Sequence, residues 1–273
     1  MMKKIIIASC VLVACVGWAT LYHIPITDGK MTVTDHKILM ESSLLNYALL
    51  FNKSQNDWLY TSQNFTNLFT VTDTSCSILI WVKLQDIAGD QEYGFLTCSR
   101  DINADGSWIY EVVKGWGEDY FILRLNSATE TVKSTAGFTL HDDGLWHLIG
   151  VVKSNNVYTF WKDATNDTPS TVSTVSSAYG TLYIGNDGPN FSASRDMNGG
   201  MRRVLIYNRA VSALEITNLY NGGIGTASHP ENGLVATWLM DEGTGTNVAD
   251  SVDGNTAHFG AGTQAPVWTN WAQ

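Results

Sequence analysis

From Tyr47 to Tyr207 the chain is a succession of short β-prone runs, broken by turn residues about every 8–12 positions. That spacing leaves room for strands joined by tight turns and for little else, so the body of the chain is predicted to be an all-β sandwich or barrel. Ser77 to Leu84 places Ile78, Ile80 and Val82 on one face and Leu79 and Trp81 on the other. A strand apolar on both faces belongs at the centre of a covered sheet. Trp108–Val113 and Tyr120–Leu125 flank Gly115-Trp116-Gly117 as one hairpin; Trp146–Lys153 and Val157–Trp161 flank Ser154-Asn155-Asn156 as another. Thr181–Ile184 and Met201–Tyr207 supply two further strands.

One helix interrupts this pattern, near residues 212–220. Ser212-Ala213-Leu214-Glu215 has the form of a capping box, with Val211 and Ile216 at the positions of a hydrophobic staple. Ile216, Leu219 and Tyr220 share a face, and Asn221-Gly222-Gly223 ends the helix.

The N-terminus carries a targeting signal. Met1-Met2-Lys3-Lys4 precedes a mostly apolar run from Ile5 to Ala19. Three readings stay open. Leu12-Val13-Ala14-Cys15 has the form of a lipobox with Cys15 as the lipidated residue, Gly17-Trp18-Ala19 offers small residues for signal cleavage after Ala19, and a run extended to Tyr22 could stay as an anchor. All three imply export, to the cell envelope or beyond. Residues 1–19 are therefore read as signal or anchor and 20–45 as a leader or tether.

Lys+Arg number 16 against Asp+Glu 26, a formal net charge of −10 that offers no basic footprint for nucleic acid. The membrane is met only through the N-terminus. Cys76 and Cys98 are the cysteines of the body, and in an oxidising compartment a lone pair reads as a disulfide. If residues 76–84 and 90–98 form a hairpin around the turn after Gln85, the two stand in register opposite one another.

Four further segments carry a family resemblance: Ala48-Leu49-Leu50-Phe51-Asn52 with Asp57-Trp58-Leu59, Ser77–Val82, Asp143-Gly144-Leu145-Trp146-His147-Leu148, and Val204–Ser212 through Glu215 and Tyr220. In this order they resemble the laminin G-like, concanavalin A-like lectin/glucanase family. The resemblance covers about residues 46–222 and implies a two-sheet antiparallel jelly-roll sandwich. Arg202 and Arg203 stand where that family usually carries Asp, so no role of that Asp transfers. Gly233-Leu234-Val235-Ala236-Thr237-Trp238-Leu239-Met240-Asp241-Glu242-Gly243-Thr244-Gly245 is similar to the family's first strand, displaced to the end of the chain. With 223–231 as connector, residues 232–273 are expected to complete the same sandwich in permuted order, with Val235, Trp238 and Met240 wholly or partly buried.

Catalysis finds little support. Retaining glycosidases need carboxyls about 5–5.5 Å apart; in that branch of the fold they come from a Glu-x-Asp-x-Glu strand, and no Glu here opens one. His141 and His147 lie near Asp142 and Asp143 at positions the family resemblance explains as turn and strand. Asp101, Asn103 and Asp105, followed by Gly106, offer alternate side-chain oxygens for calcium, against the alternative of a solvated turn. Trp116 at a hairpin tip could stack on a sugar ring, and Asn186, Asp187, Asn190 and Asp196 could donate oxygens from a polar loop. The alternative for each is structural. The expected function is non-catalytic recognition of a glycan or a surface protein, with subunit self-assembly as the rival reading and a carbohydrate-active enzyme behind both.

Overall fold

The computed structural model describes residues 30–34, 37–41, 47–66, 74–85, 91–99, 108–114, 119–125, 130–172, 179–186, 195–225 and 228–270. They fall in two units, divided after Asn46. In the first, β1 (Lys30–Thr34) and β2 (Lys37–Glu41) form an antiparallel hairpin.

The second unit is a two-sheet antiparallel sandwich. Its strands are β3 (Tyr47–Phe51), β4 (Leu59–Thr66), β5 (Cys76–Leu84), β6 (Gln91–Ser99), β7 (Trp108–Lys114), β8 (Tyr120–Leu125) and β9 (Glu130–Lys133). There follow β10 (His147–Ser154), β11 (Val157–Lys162), the short β12 (Thr165–Asn166) and β13 (Ser170–Thr171), β14 (Tyr179–Ile184) and β15 (Gly199–Tyr207). Helix α1 (Ala213–Gly222) leads to β16 (Leu234–Trp238), β17 (Asn247–Val248), β18 (Ala257–Phe259) and β19 (Val267–Asn270). The larger sheet runs β12-β11-β10-β5-β15-β3-β19, with β13 on β11 and β16 on β15; the other runs β17-β18-β4-β14-β6-β7-β8-β9.

Strand β5 lies between β10 and β15. Ile78, Ile80 and Val82 enter the inter-sheet core with Phe95, Tyr110, Phe121 and Leu182 from the facing sheet. Leu79 and Trp81 turn outward, into a second apolar layer with Leu205, Tyr207, Ile216 and Leu219. Helix α1 is what covers that outer face. The capping box is formed: Ser212 Oγ accepts from Glu215 N, and Glu215 Oε2 accepts from Ser212 N at 2.8 Å. Arg209 grips the same carboxylate at 2.9 and 2.6 Å, which pulls Glu215 down to about 2. Tyr220 stacks on Trp81 with centroids 6.0 Å apart.

The cysteine pairing is corrected. Cys76 and Cys98 are both buried thiols, not a disulfide. Strand β5 pairs β10 and β15, whereas β6 pairs β14 and β7, so residues 76–84 and 91–98 lie in opposite sheets and form no hairpin. Cys98 Sγ donates to Gly180 O at 3.6 Å, and burial pushes its thiol up to about 12.

Residues 234–270 contribute to both sheets. Strand β16 pairs the second half of β15, β18 pairs β4, and β19 pairs β3. Trp238 is fully buried and donates from Nε1 to Asn255 O at 2.9 Å; Met240 is also fully buried, and Val235 partly so. Asp250 holds the segment in shape, its carboxylate accepting from the backbone N–H of Thr237 and Val252 at 2.9 and 3.0 Å. Trp238→Ala is expected to cost about 3–5 kcal/mol, as for other large-to-small aromatic substitutions in cores. The check is a lowered urea midpoint with an unchanged slope. A loss below about 1 kcal/mol would mean that the segment adds little to the sandwich.

Candidate functional site

The outer face of the smaller sheet carries a row of rings. Strand β4 starts at Leu59, whose side chain goes to the core, so alternation sends Trp58 and Tyr60 the other way. The register then sets Tyr60 opposite Tyr183 of β14 on one side and His258 of β18 on the other. Ring centroids are 5.4 Å apart for Tyr60 and His258, 5.3 Å for Trp58 and Tyr60, and 5.6 Å for Trp58 and Tyr183. Tyr60 is 37 % exposed, while Trp58, Tyr183 and His258 are half-buried.

Trp58 is fixed by its backbone, donating to Gln264 O at 3.2 Å and accepting from Gly260 N at 2.8 Å. A Cβ on Gly260 would come within 2.8 Å of Trp58 Nε1, so that position is reserved for glycine. His258 Nδ1 meets the exposed Asn247 Oδ1 at 2.8 Å. Partial burial raises the Tyr183 hydroxyl, opposed by its hydrogen bond with Thr181. Flat apolar ring faces edged by hydroxyl, imidazole and amide groups can take the C–H face of a pyranose and bond its hydroxyls. Sequence reasoning read Asp57-Trp58-Leu59 only as a family segment and left Tyr60, Tyr183 and His258 unassigned. Alternation at Trp58-Leu59-Tyr60 marked an outward pair, but the neighbours from β14 and β18 needed the register.

The residues expected from the sequence are not those of the row. Trp116, Asp101, Asn103, Asp105, Asp187, Asn190 and Cys15 lie outside the described residues. Asn186 is 4 % exposed and Asp196 1 %, so neither side chain stands out from the surface as a loop donor. Among the described residues no group of three His, Cys, Asp or Glu could hold a metal ion.

Asp196 belongs to a buried polar cluster with Asp57, Asn56 and Lys53. With its amide turned to donate, Asn56 Nδ2 reaches Asp196 Oδ2 at 2.9 Å; Asp57 Oδ2 accepts from Asn52 N at 2.7 Å, and Lys53 Nζ donates to Glu92 O at 3.2 Å. The Oδ1 atoms of both carboxyls are buried without a hydrogen-bond partner. Burial raises Asp196 to about 7, against the pull of Lys53 and with a further push from Asp57, and burial raises Asp57 to about 6. His147 is a clamp between strands: Nδ1 meets Asp163 Oδ2, whose Oδ1 accepts from Leu148 N at 3.0 Å, and Nε2 meets Asp143 at 3.2 Å.

The pH dependence follows from the carboxyl pair. Between the ordinary 3.8 and about 7 the folded chain keeps protons that the unfolded chain has released, so these groups lose stability as pH rises through that window. Asp196→Asn is expected to flatten this part of the stability–pH curve and to raise the melting temperature at pH 8. Parallel curves for the variant and the parent would refute the assignment.

A family model, "Concanavalin A-like lectin/glucanases superfamily", matches residues 53–217. Among solved structures, a heptameric pentraxin from Limulus polyphemus superposes with TM-score 0.54 at 12% identity, over 82% of this chain and 98% of that one. A protein from Bacteroides ovatus described as carbohydrate-binding superposes with TM-score 0.54 at 13% identity, over 82% of this chain and 59% of that one. At such identities the likeness is one of fold. No curated protein matches the chain in sequence.

Proposed function

The chain belongs to the concanavalin A-like lectin/glucanase superfamily, and from that premise we propose that it is a non-catalytic recognition module that binds glycan through the row of Trp58, Tyr60, Tyr183 and His258. The observation that carries this reading is the row itself, rings 5.3 to 5.6 Å apart on an outer sheet face with Tyr60 open to solvent. The Bacteroides ovatus protein of the same fold, described as carbohydrate-binding, supports it. The N-terminal signal supports export to a cell or particle surface, where such a ligand would be met. Calcium enters this reading only through Asp101, Asn103 and Asp105. The lack of a Glu-x-Asp-x-Glu strand in the sequence supports binding without hydrolysis.

Tyr60 is exposed and Tyr183 half-buried, so Tyr60→Ala and Tyr183→Ala are expected to leave the fold intact. Each should weaken binding of neutral oligosaccharides about tenfold, the value of one lost ring contact. Glycan-array hits followed by calorimetry on parent and variants measure this. Equal binding by the parent and the double variant, or no oligosaccharide bound by the parent, would overturn the proposal.

A further inference from the structure

Two successive arginines sit where β15 bulges. Met201 and Val204 face the inter-sheet core opposite Val82 and Ile80, and Arg202 stands opposite Trp81. The bulge inserts Arg203 before Val204, and alternation with the outward Leu205 and Tyr207 puts Arg203 on the outer face beside Arg202. Its φ of 53° is left-handed, a strained conformation for a long side chain. Bulges commonly re-aim a side chain beside a functional site.

Arg203 is 2 % exposed, yet its Nε and Nη1 have no hydrogen-bond partner. Burial, with Arg202 alongside and against the pull of Asp241, lowers its guanidinium to about 10, so it stays charged at neutral pH. Arg202 has its own contacts, Tyr47 O at 2.9 Å and Asp241 at 3.9 Å. Two hydroxyls on the same face are also buried without partners. Thr237 lies beside Leu205 in the β15–β16 ladder, and Tyr207 is near enough to act on the charge of Arg203. A buried cation and two hydroxyls thus hold N–H and O–H groups with no acceptor, and Asp241, though near enough to act on the charge of Arg203, makes no hydrogen bond to its Nε or Nη1.

We propose that Arg203, with Thr237 and Tyr207, forms a binding site for a compact oxyanion, a carboxylate, sulfate or phosphate group, at the β15 bulge on the outer face of the larger sheet. The guanidinium fork fits such groups with two parallel hydrogen bonds, and the hydroxyls bond the remaining oxygens. The oxyanion is either free in solution or the acidic group of a sugar. The site is separate from the aromatic row, which lies on the other sheet.

Thermal unfolding of the full chain in sodium phosphate, against chloride at matched ionic strength, tests this. Millimolar phosphate is expected to raise the parent's melting temperature in a saturable way, with no saturable rise in Arg203→Met. In chloride alone, Arg203→Met is expected to be at least as stable as the parent, because it removes a buried charge whose Nε and Nη1 make no hydrogen bond. Arg203→Lys keeps the charge but not the fork and should bind phosphate about tenfold more weakly. Tyr60→Ala should respond to phosphate like the parent, so failure of the glycan reading leaves this result standing. A galacturonate oligomer that displaces phosphate identifies a sugar acid as the source; a phosphate response it does not displace identifies a free anion. No saturable phosphate response in the parent, or one retained in Arg203→Met, overturns the proposal.

Discussion

Covering the larger sheet on both faces is the constraint on which the rest of the structure depends. All nine residues of β15 are buried, and so are eight of the nine in β5. One face of these strands meets the facing sheet, and the other lies under helix α1. The helix is short, and a helix of this length gains little from its own hydrogen bonds. Its place is fixed from outside, by Ser77 Oγ bridging Arg209 O and Val211 N and by the Arg209–Glu215 pair. The outer face of the other sheet is where Tyr60 reaches solvent.

The sequence made legible what depends on alternation and local chemistry. Strand β5 read as central because both of its faces are apolar, and its place between β10 and β15 follows from that. The capping box at Ser212 and Glu215 was readable because both hydrogen bonds lie within four residues. What it could not decide was which strands become neighbours. Cys76 and Cys98 stand at matching distances from the turn after Gln85, and that symmetry suggested a hairpin. The chain instead crosses from one sheet to the other between β5 and β6, as sandwiches do when a connection spans their layers. Alternation gives the face of a side chain; it does not give the sheet.

The aromatic row was hidden for the same reason. Trp58, Tyr60, Tyr183 and His258 are scattered over some 200 positions, and each alone is an ordinary outward ring at a strand. They become a surface only because β18, from the C-terminal segment, pairs with one edge of β4 while β14 pairs with the other. His258 thus joins the row through the segment that also delivers Trp238 to the core. Tail and row are coupled: a chain without the C-terminal segment would keep the rings of Trp58, Tyr60 and Tyr183 but lose the His258 imidazole, the Asn247 amide at the rim and the Gly260 and Gln264 backbone bonds that fix Trp58.

Buried charge separates structural from functional strain in this molecule. Asp57 and Asp196 act on one another, with Lys53 pulling on Asp196, and the two carboxyls escape the cost of burial by holding protons into the neutral range. Their strain is relieved by titration. A guanidinium has no such escape at any pH the chain will meet, since even lowered to about 10 it remains charged near neutrality. Arg203 keeps its buried Nε and Nη1 without an acceptor even with Asp241 acting on its charge, and an oxyanion drawn from outside the chain would supply one.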